Sequence, residues 1–79
     1  MTPGENPLAD IAITKLSKML GEPKGAETFR GALAGLGLAR IETPDHLKQL
    51  ANHLIGLGGL SKMIGHSLMV EALLRGAQP

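Results

Sequence analysis

The chain has 79 residues, of which 43% are hydrophobic, and a formal net charge of +1. A chain of this length forms one small domain, which buries roughly 60–65% of the surface of its extended form. With no cysteine and one aromatic residue, Phe29, the sequence excludes a disulfide framework and a thiolate metal site and requires an aliphatic core. We expect a single helical domain over residues 1–79.

We expect no secretory signal in the first residues. Residues 1–5 are rich in breakers and predict a flexible lead, and the start "MTPGENPLAD" lacks the basic and apolar segments of a secretory signal. No apolar run approaches the ~18 residues of a membrane span. Together with the cysteine-free composition, which is compatible with a reducing compartment, these features predict a cytoplasmic protein.

The first helix is predicted near residues 7–20. Asn6 suits the N-cap position and Pro7 the first helical position, while Gly21 suits a helix end. Apolar residues recur with a helical period on one face: Leu8, Ala9, Ala12, Ile13, Leu16, Met19 and Leu20.

A second helix is predicted near residues 26–36, after the breaker "GEPKGAE". Its apolar stripe is Phe29, Ala32, Leu33 and Leu36. Gly37 followed by Leu38 predicts a Schellman ending. Gly31 and Gly35 each cost the helix about 1 kcal/mol relative to alanine, which indicates either a frayed helix or the close approach of another backbone.

The third helix, near residues 44–56, has the clearest start signal. Thr43 predicts the N-cap and Pro44 the first helical position. Leu47, Leu50, Ala51, Leu54 and Ile55 share a face. Gly56 followed by Leu57 predicts the end of this helix.

The last helix, near residues 60–75 and closed by Gly76, is apolar almost all round. Glu71 and Arg75 are spaced for an i,i+4 ion pair. A helix of this kind is buried on more than one side, so it is either central within the monomer or covered by a partner on its second side. The apolar residues are Met63, Ile64, Leu68, Met69, Val70, Ala72, Leu73 and Leu74.

These four segments predict an all-α fold, a compact four-helix domain of orthogonal or bundle-like arrangement. A near-repeat runs through it: "LSKMLG" at Leu16–Gly21 and "LSKMIG" at Leu60–Gly65. The repeat reflects either the similar composition of such helices or the duplication of a helical hairpin. On both interpretations it is predicted to form a core edge with its lysine in solvent.

No catalytic, cofactor or metal site is predicted. His46 and His53, seven residues apart, would be about 10 Å apart along one helix, too far to share a metal ion. Paired carboxylates, a nucleophile–base spacing and a phosphate-binding loop are not evident in the sequence. We therefore expect a protein that is not an enzyme.

The string "GHSL" at Gly65–Leu68 is similar to the one that carries the phosphopantetheine serine in carrier proteins of nonribosomal peptide assembly. The resemblance covers four residues and implies a modified Ser67. In that family the serine lies at a helix start near the middle of the domain, whereas Ser67 is predicted inside a helix.

The leading functional hypothesis is a protein-interaction or self-assembly module, whose partner is a second copy of the chain or another protein. The apolar excess of the last helix motivates it, and methionine suits adaptable contacts. The predicted interface residues are Met63, Met69, Leu73 and Leu74.

The alternative is a small helix-turn-helix regulator that binds DNA. The segment "LKQLANHLIGLGGLSKMIGHSL" has the general pattern of such a motif, although its turn is long. The residues predicted to contact DNA in this case are Lys62, His66 and Arg75, in a helix otherwise lacking the polar side chains that read base edges.

Overall fold

The computed structural model describes residues 7–77, which form four α helices and no strand. The predicted all-α, four-helix fold is confirmed. The helices are α1 (Pro7–Leu20), α2 (Lys24–Leu36), α3 (Pro44–Leu57) and α4 (Gly59–Leu74). The predicted lead at residues 1–5 and the predicted N-cap Asn6 lie outside the described residues.

Two predicted helix ends have the expected hydrogen bonds. The backbone N–H of His46 donates to Oγ1 of Thr43 at 3.2 Å, which confirms Thr43 as the N-cap of α3. At the end of α2, Leu38 N donates to Leu33 O at 2.9 Å and Gly37, at φ 73°, donates to Ala34 O at 3.2 Å. This is the Schellman pattern, and it satisfies carbonyls that a helix end would otherwise leave unpaired.

The third helix lies where it was predicted, but the glycine that ends it is Gly58 and not Gly56. The helix continues through Gly56 to Leu57 and ends at Gly58, which has φ 76°. Only a glycine adopts such a conformation without strain, so Gly58 is the residue that ends the helix. Gly58 is also the only residue between α3 and α4, and the two helices therefore form a tight hairpin.

The core is aliphatic apart from Phe29 and is drawn from all four helices. Ile41, in the connection between α2 and α3, is fully buried, and sequence reasoning did not assign it to the core. No polar or charged residue is buried among residues 8–77. The buried hydrophobic residues are Ala12, Leu16, Phe29, Ala32, Leu33, Ile41, Leu47, Leu50, Ala51, Leu54, Ile64, Leu68, Ala72 and Ala77.

Close backbone approach occurs at two glycines that the sequence did not single out for it. A Cβ on Gly25 would lie 2.6 Å from Ser17 N in α1, and one on Gly65 would lie 2.7 Å from Ala51 O in α3. At Gly31 no atom lies within 4 Å of an added Cβ, so close approach, one of the two explanations considered for this glycine, does not apply there. Each helical hairpin is thus closed by a glycine in its second helix.

The two copies of the near-repeat occupy different environments. Leu16 is fully buried near the end of α1, whereas Leu60 is 48% exposed at the start of α4. Gly21 follows the end of α1, whereas Gly65 lies inside α4. The lysines of both copies are exposed, as predicted. The matching letters therefore do not occupy matching structural positions.

The glycine contacts predict opposite effects for two substitutions. Gly65→Ala should lower the free energy of unfolding by about 1–3 kcal/mol, because the methyl group collides with the α3 backbone. Gly31→Ala should raise it by about 0.5–1 kcal/mol, because the site is open and alanine favours a helix. Urea unfolding followed by circular dichroism measures both, and a Gly65→Ala variant as stable as the parent chain would contradict the packing described.

Candidate functional site

The inner side of α4 is apolar and is buried in the core of the domain. Ile64, Leu68 and Ala72 are buried, and Gly65 lies between them against α3. Their spacing along the chain places all four on one side of the helix, at about 100° per residue. This side is the contribution of α4 to the core.

A second apolar line runs along the solvent side of the same helix. We call it the outer strip, and it consists of Leu60, Met63, Ser67, Val70 and Leu74. Its four apolar members are large and exposed: Leu60 at 48%, Met63 at 61%, Val70 at 58% and Leu74 at 78%. The strip is therefore an apolar surface that the described part of the chain leaves uncovered.

The spacing within the outer strip is that of a helix–helix contact. Successive members are 3, 4, 3 and 4 residues apart, the alternation that brings the a and d positions of a heptad to one seam. Ser67 occupies the central position of the five. A small side chain at the middle of such a seam allows the closest approach of a second helix.

The four predicted interface residues differ in their location and exposure on α4. Met63 and Leu74 belong to the outer strip, and Leu73 is 44% exposed on its flank. Met69 is partly buried and packs against the core, so it is the least accessible of the four. Leu60 and Val70 were not among the predicted interface residues, although the 3–4 alternation in the sequence includes them.

The outer strip continues onto α1 through a shallow groove, which we call the α1–α4 groove. Its volume is about 270 Å³. Met19, which is 45% exposed, lies across the groove from α4. Met63 contributes to both the groove and the strip. The residues that line the groove are Lys15, Lys18, Met19, Met63, Ile64 and Ser67.

Charged side chains surround the groove. Lys15 and Lys18 flank its apolar floor and form no ion pair within residues 7–77. Further along the same two helices, Asp10 and Glu71 line a wider depression, and Lys15, Lys18 and Arg75 line it as well. Glu71 accepts from Arg75 Nε at 3.3 Å, which confirms the predicted i,i+4 pair. The groove itself thus carries lysines and no carboxylate, whereas the neighbouring depression carries both signs of charge.

The residues predicted for DNA contact do not form one cluster. Lys62 and His66 are exposed one turn apart on α4. By helix geometry, Arg75 lies roughly 20 Å from Lys62 along the helix axis and about 140° away from it around the axis. The guanidinium of Arg75 also pairs with Glu71. A helix that reads bases in a DNA groove needs its base-contacting side chains on one exposed face. The exposed surface of α4 consists largely of apolar side chains instead.

His46 and His53 contact neighbouring parts of the fold. His46 Nδ1 accepts the backbone N–H of Glu42 at 3.1 Å, so this side chain completes the cap of α3. The His53 ring lies against α2, where a Cβ on Gly35 would approach it to 3.2 Å. No group of three or more potential metal ligands occurs among residues 7–77.

Two further features bear on the function. Ser67 lies in the middle of α4, whereas the carrier-protein resemblance implies a serine at a helix start. Among the helices of the described residues, none has the combination of length and apolar character that crossing a bilayer requires.

The two sides of α4 predict different responses to truncation. Leu68→Ala should cost about 2–5 kcal/mol of unfolding free energy, because it leaves a cavity in the core. Leu74→Ala should change that free energy by less than about 0.5 kcal/mol at a protein concentration low enough for the monomer, because the side chain has little packing to lose. Thermal unfolding at low micromolar concentration measures both, and equal losses would contradict the assignment of the two sides.

Comparison with known proteins finds no matching family model, no curated protein of significant similarity and no solved structure of significant similarity. Function is therefore inferred from the geometry of the outer strip and its charged flank.

Proposed function

We propose that this chain is a non-catalytic protein-interaction module, and that a helix of a protein partner covers the outer strip of α4. The partner is either a second copy of the chain or another protein. One observation carries the proposal: four large apolar side chains are exposed at 3–4 spacing on a helix whose other side is already buried in the core.

The energetics of the strip support an interface. Burial of a valine, leucine or methionine side chain contributes about 1.5–3 kcal/mol. A domain of this size with one aromatic ring has a small core, and such domains gain stability from oligomerisation or a partner. A partner that binds only the folded state stabilises it by mass action.

The surroundings of the strip support a binding role over a catalytic one. Active sites commonly enclose titratable groups whose environment is altered by burial. Among residues 8–77, no charged or polar residue is buried, and the exposed side of α4 is apolar and includes methionine. A cytoplasmic location, compatible with the absence of cysteine, stays a prediction.

DNA binding has less support. Of its predicted contacts, Lys62 and His66 lie one turn apart on α4, whereas Arg75 lies on another side and is already paired with Glu71. Non-specific DNA binding requires clustered basic groups that neutralise phosphates. The net charge of +1 supplies little attraction of that kind.

A co-expression experiment tests the interaction proposal. An affinity-tagged chain and an untagged copy are produced in one cell, and the proteins that elute with the tagged chain are identified by mass spectrometry. The strip variant carries Met63→Ser, Val70→Ser and Leu74→Ser in both copies. The control carries Gln49→Ser and Asn52→Ser, which alter exposed polar positions of α3.

We expect at least one protein, the untagged copy included, to elute with the parent and control chains and to be lost with the strip variant. Circular dichroism verifies that all three chains are helical. The same set of eluting proteins for parent and strip variant would overturn the proposed function.

A further inference from the structure

We infer that the partner covering the outer strip is a second copy of this chain, with the two α4 helices packed antiparallel about a two-fold axis at Ser67. This inference rests on the proposed function, because it requires the strip to be an interface. It adds the identity of the partner, the orientation of the two copies and an ion pair between them.

The outer strip is nearly symmetric about Ser67. Leu60 lies seven residues before it and Leu74 seven residues after it, while Met63 lies four before and Val70 three after. A two-fold axis at Ser67 therefore brings Leu60 against the partner's Leu74 and Met63 beside the partner's Val70. Isologous contacts of this kind need one self-complementary patch, the commonest arrangement of soluble homodimers.

Ser67 suits the crossing point of the two helices. Interaxial distances in helix pairs are roughly 8–10 Å and depend on the side chains at the contact. A small side chain at the crossing lets the backbones approach, and the larger side chains on both sides then interdigitate. Ser67 is partly exposed, and its hydroxyl is a polar group at the middle of an apolar seam, which can fix the register of a helix pair.

The charged flank decides between antiparallel and parallel packing. Lys18 lies beside Met63 in the α1–α4 groove. Glu71 is four residues after Ser67, as Met63 is four before it, so the two-fold axis places the partner's Glu71 opposite Met63. Antiparallel packing also brings the α1 sides of both copies together. Lys18 therefore faces the partner's Glu71, and the pair occurs twice.

Parallel packing lacks this complementarity. It would turn the α1 side of one copy toward the opposite flank of the partner, which presents Lys62, His66 and Leu73. No carboxylate lies on that flank of α4, so Lys18 would gain no acidic group from the partner and would face the partner's Lys62 instead. Charge complementarity of this sort fixes the register and orientation of an interface.

The area required for a stable dimer extends the interface onto α1. A specific interface buries about 800 Å² of each partner, which is about a sixth of the 4572 Å² accessible surface of the chain. The strip on one 16-residue helix is narrow for that area. The α1–α4 groove with Met19 adjoins the strip and adds the surface needed.

Because the chain has no cysteine, single introduced cysteines report the geometry without interference. Ser67→Cys should form an intermolecular disulfide under a mild oxidant at least tenfold faster than Asn52→Cys, an exposed control on α3. An equal mixture of Leu60→Cys and Leu74→Cys should give mainly the mixed disulfide, because antiparallel packing joins these two positions. Mass spectrometry of the linked peptides identifies the products.

The outcomes separate this inference from the proposed function. Homodisulfides of Leu60→Cys in place of the mixed species would overturn the antiparallel arrangement. Equal rates for Ser67→Cys and Asn52→Cys would overturn the two-fold axis. If the untagged copy never elutes with the tagged one while another protein does so through the strip, the second copy is overturned as the partner and the interaction function stands.

A charge exchange tests the predicted ion pair independently of cross-linking. Lys18→Glu should raise the dimer dissociation constant about tenfold, since it places two carboxylates opposite each other twice per dimer. Adding Glu71→Lys should restore most of the affinity. Lys24→Glu, the same change of charge at an exposed position on α2, should leave the constant within about twofold. Dilution calorimetry measures all four chains, and failure of the double variant to recover would overturn the pair.

Discussion

The contact between Gly65 and the backbone of α3 determines which side of α4 faces solvent. A helix that touches its neighbour through a glycine cannot rotate about its own axis without driving larger side chains into that neighbour. With Gly65 held against Ala51 and Ile55, Leu68 and Ala72 turn into the core and Val70 and Leu74 turn outward. The exposure of the outer strip thus follows from close packing on the opposite side of the helix.

The same contact links the stability of the domain to its proposed assembly. The core contains one aromatic ring and many alanines, which bury little area each, and α4 carries more apolar surface than the other three helices cover. Burying the outer strip against a second copy would use that surface. In this arrangement the last helix packs into two apolar cores, one within the chain and one between the two copies. Lys18 of α1 favours the antiparallel orientation of the copies.

Local signals in the sequence were sufficient to predict the helices. Thr43 with Pro44, and Gly37 with Leu38, correspond to hydrogen-bonded caps whose geometry depends on neighbouring residues only. The end of α3 was misplaced because a glycine is tolerated inside a helix, and neither Gly56 nor Gly58 reveals by itself which one adopts a positive φ. The burial of Ile41 and the tight contacts of Gly25 and Gly65 depend on how the helices pack, which local periodicity does not contain. The sequence predicted only part of the outer strip. The apolar circumference of α4 indicated a second apolar face, but assigning Val70 rather than Met69 to it requires knowing how the helix is rotated about its axis against the core.

Sedimentation equilibrium of the unmodified chain tests the central claim most directly. At tens to hundreds of micromolar the fitted mass should approach twice the 8.2 kDa of one chain, and Val70→Asp should return it to the mass of a single chain while leaving the helical circular dichroism unchanged. A well-folded chain that keeps the mass of one copy at high micromolar concentration would contradict the claim that a second copy covers α4.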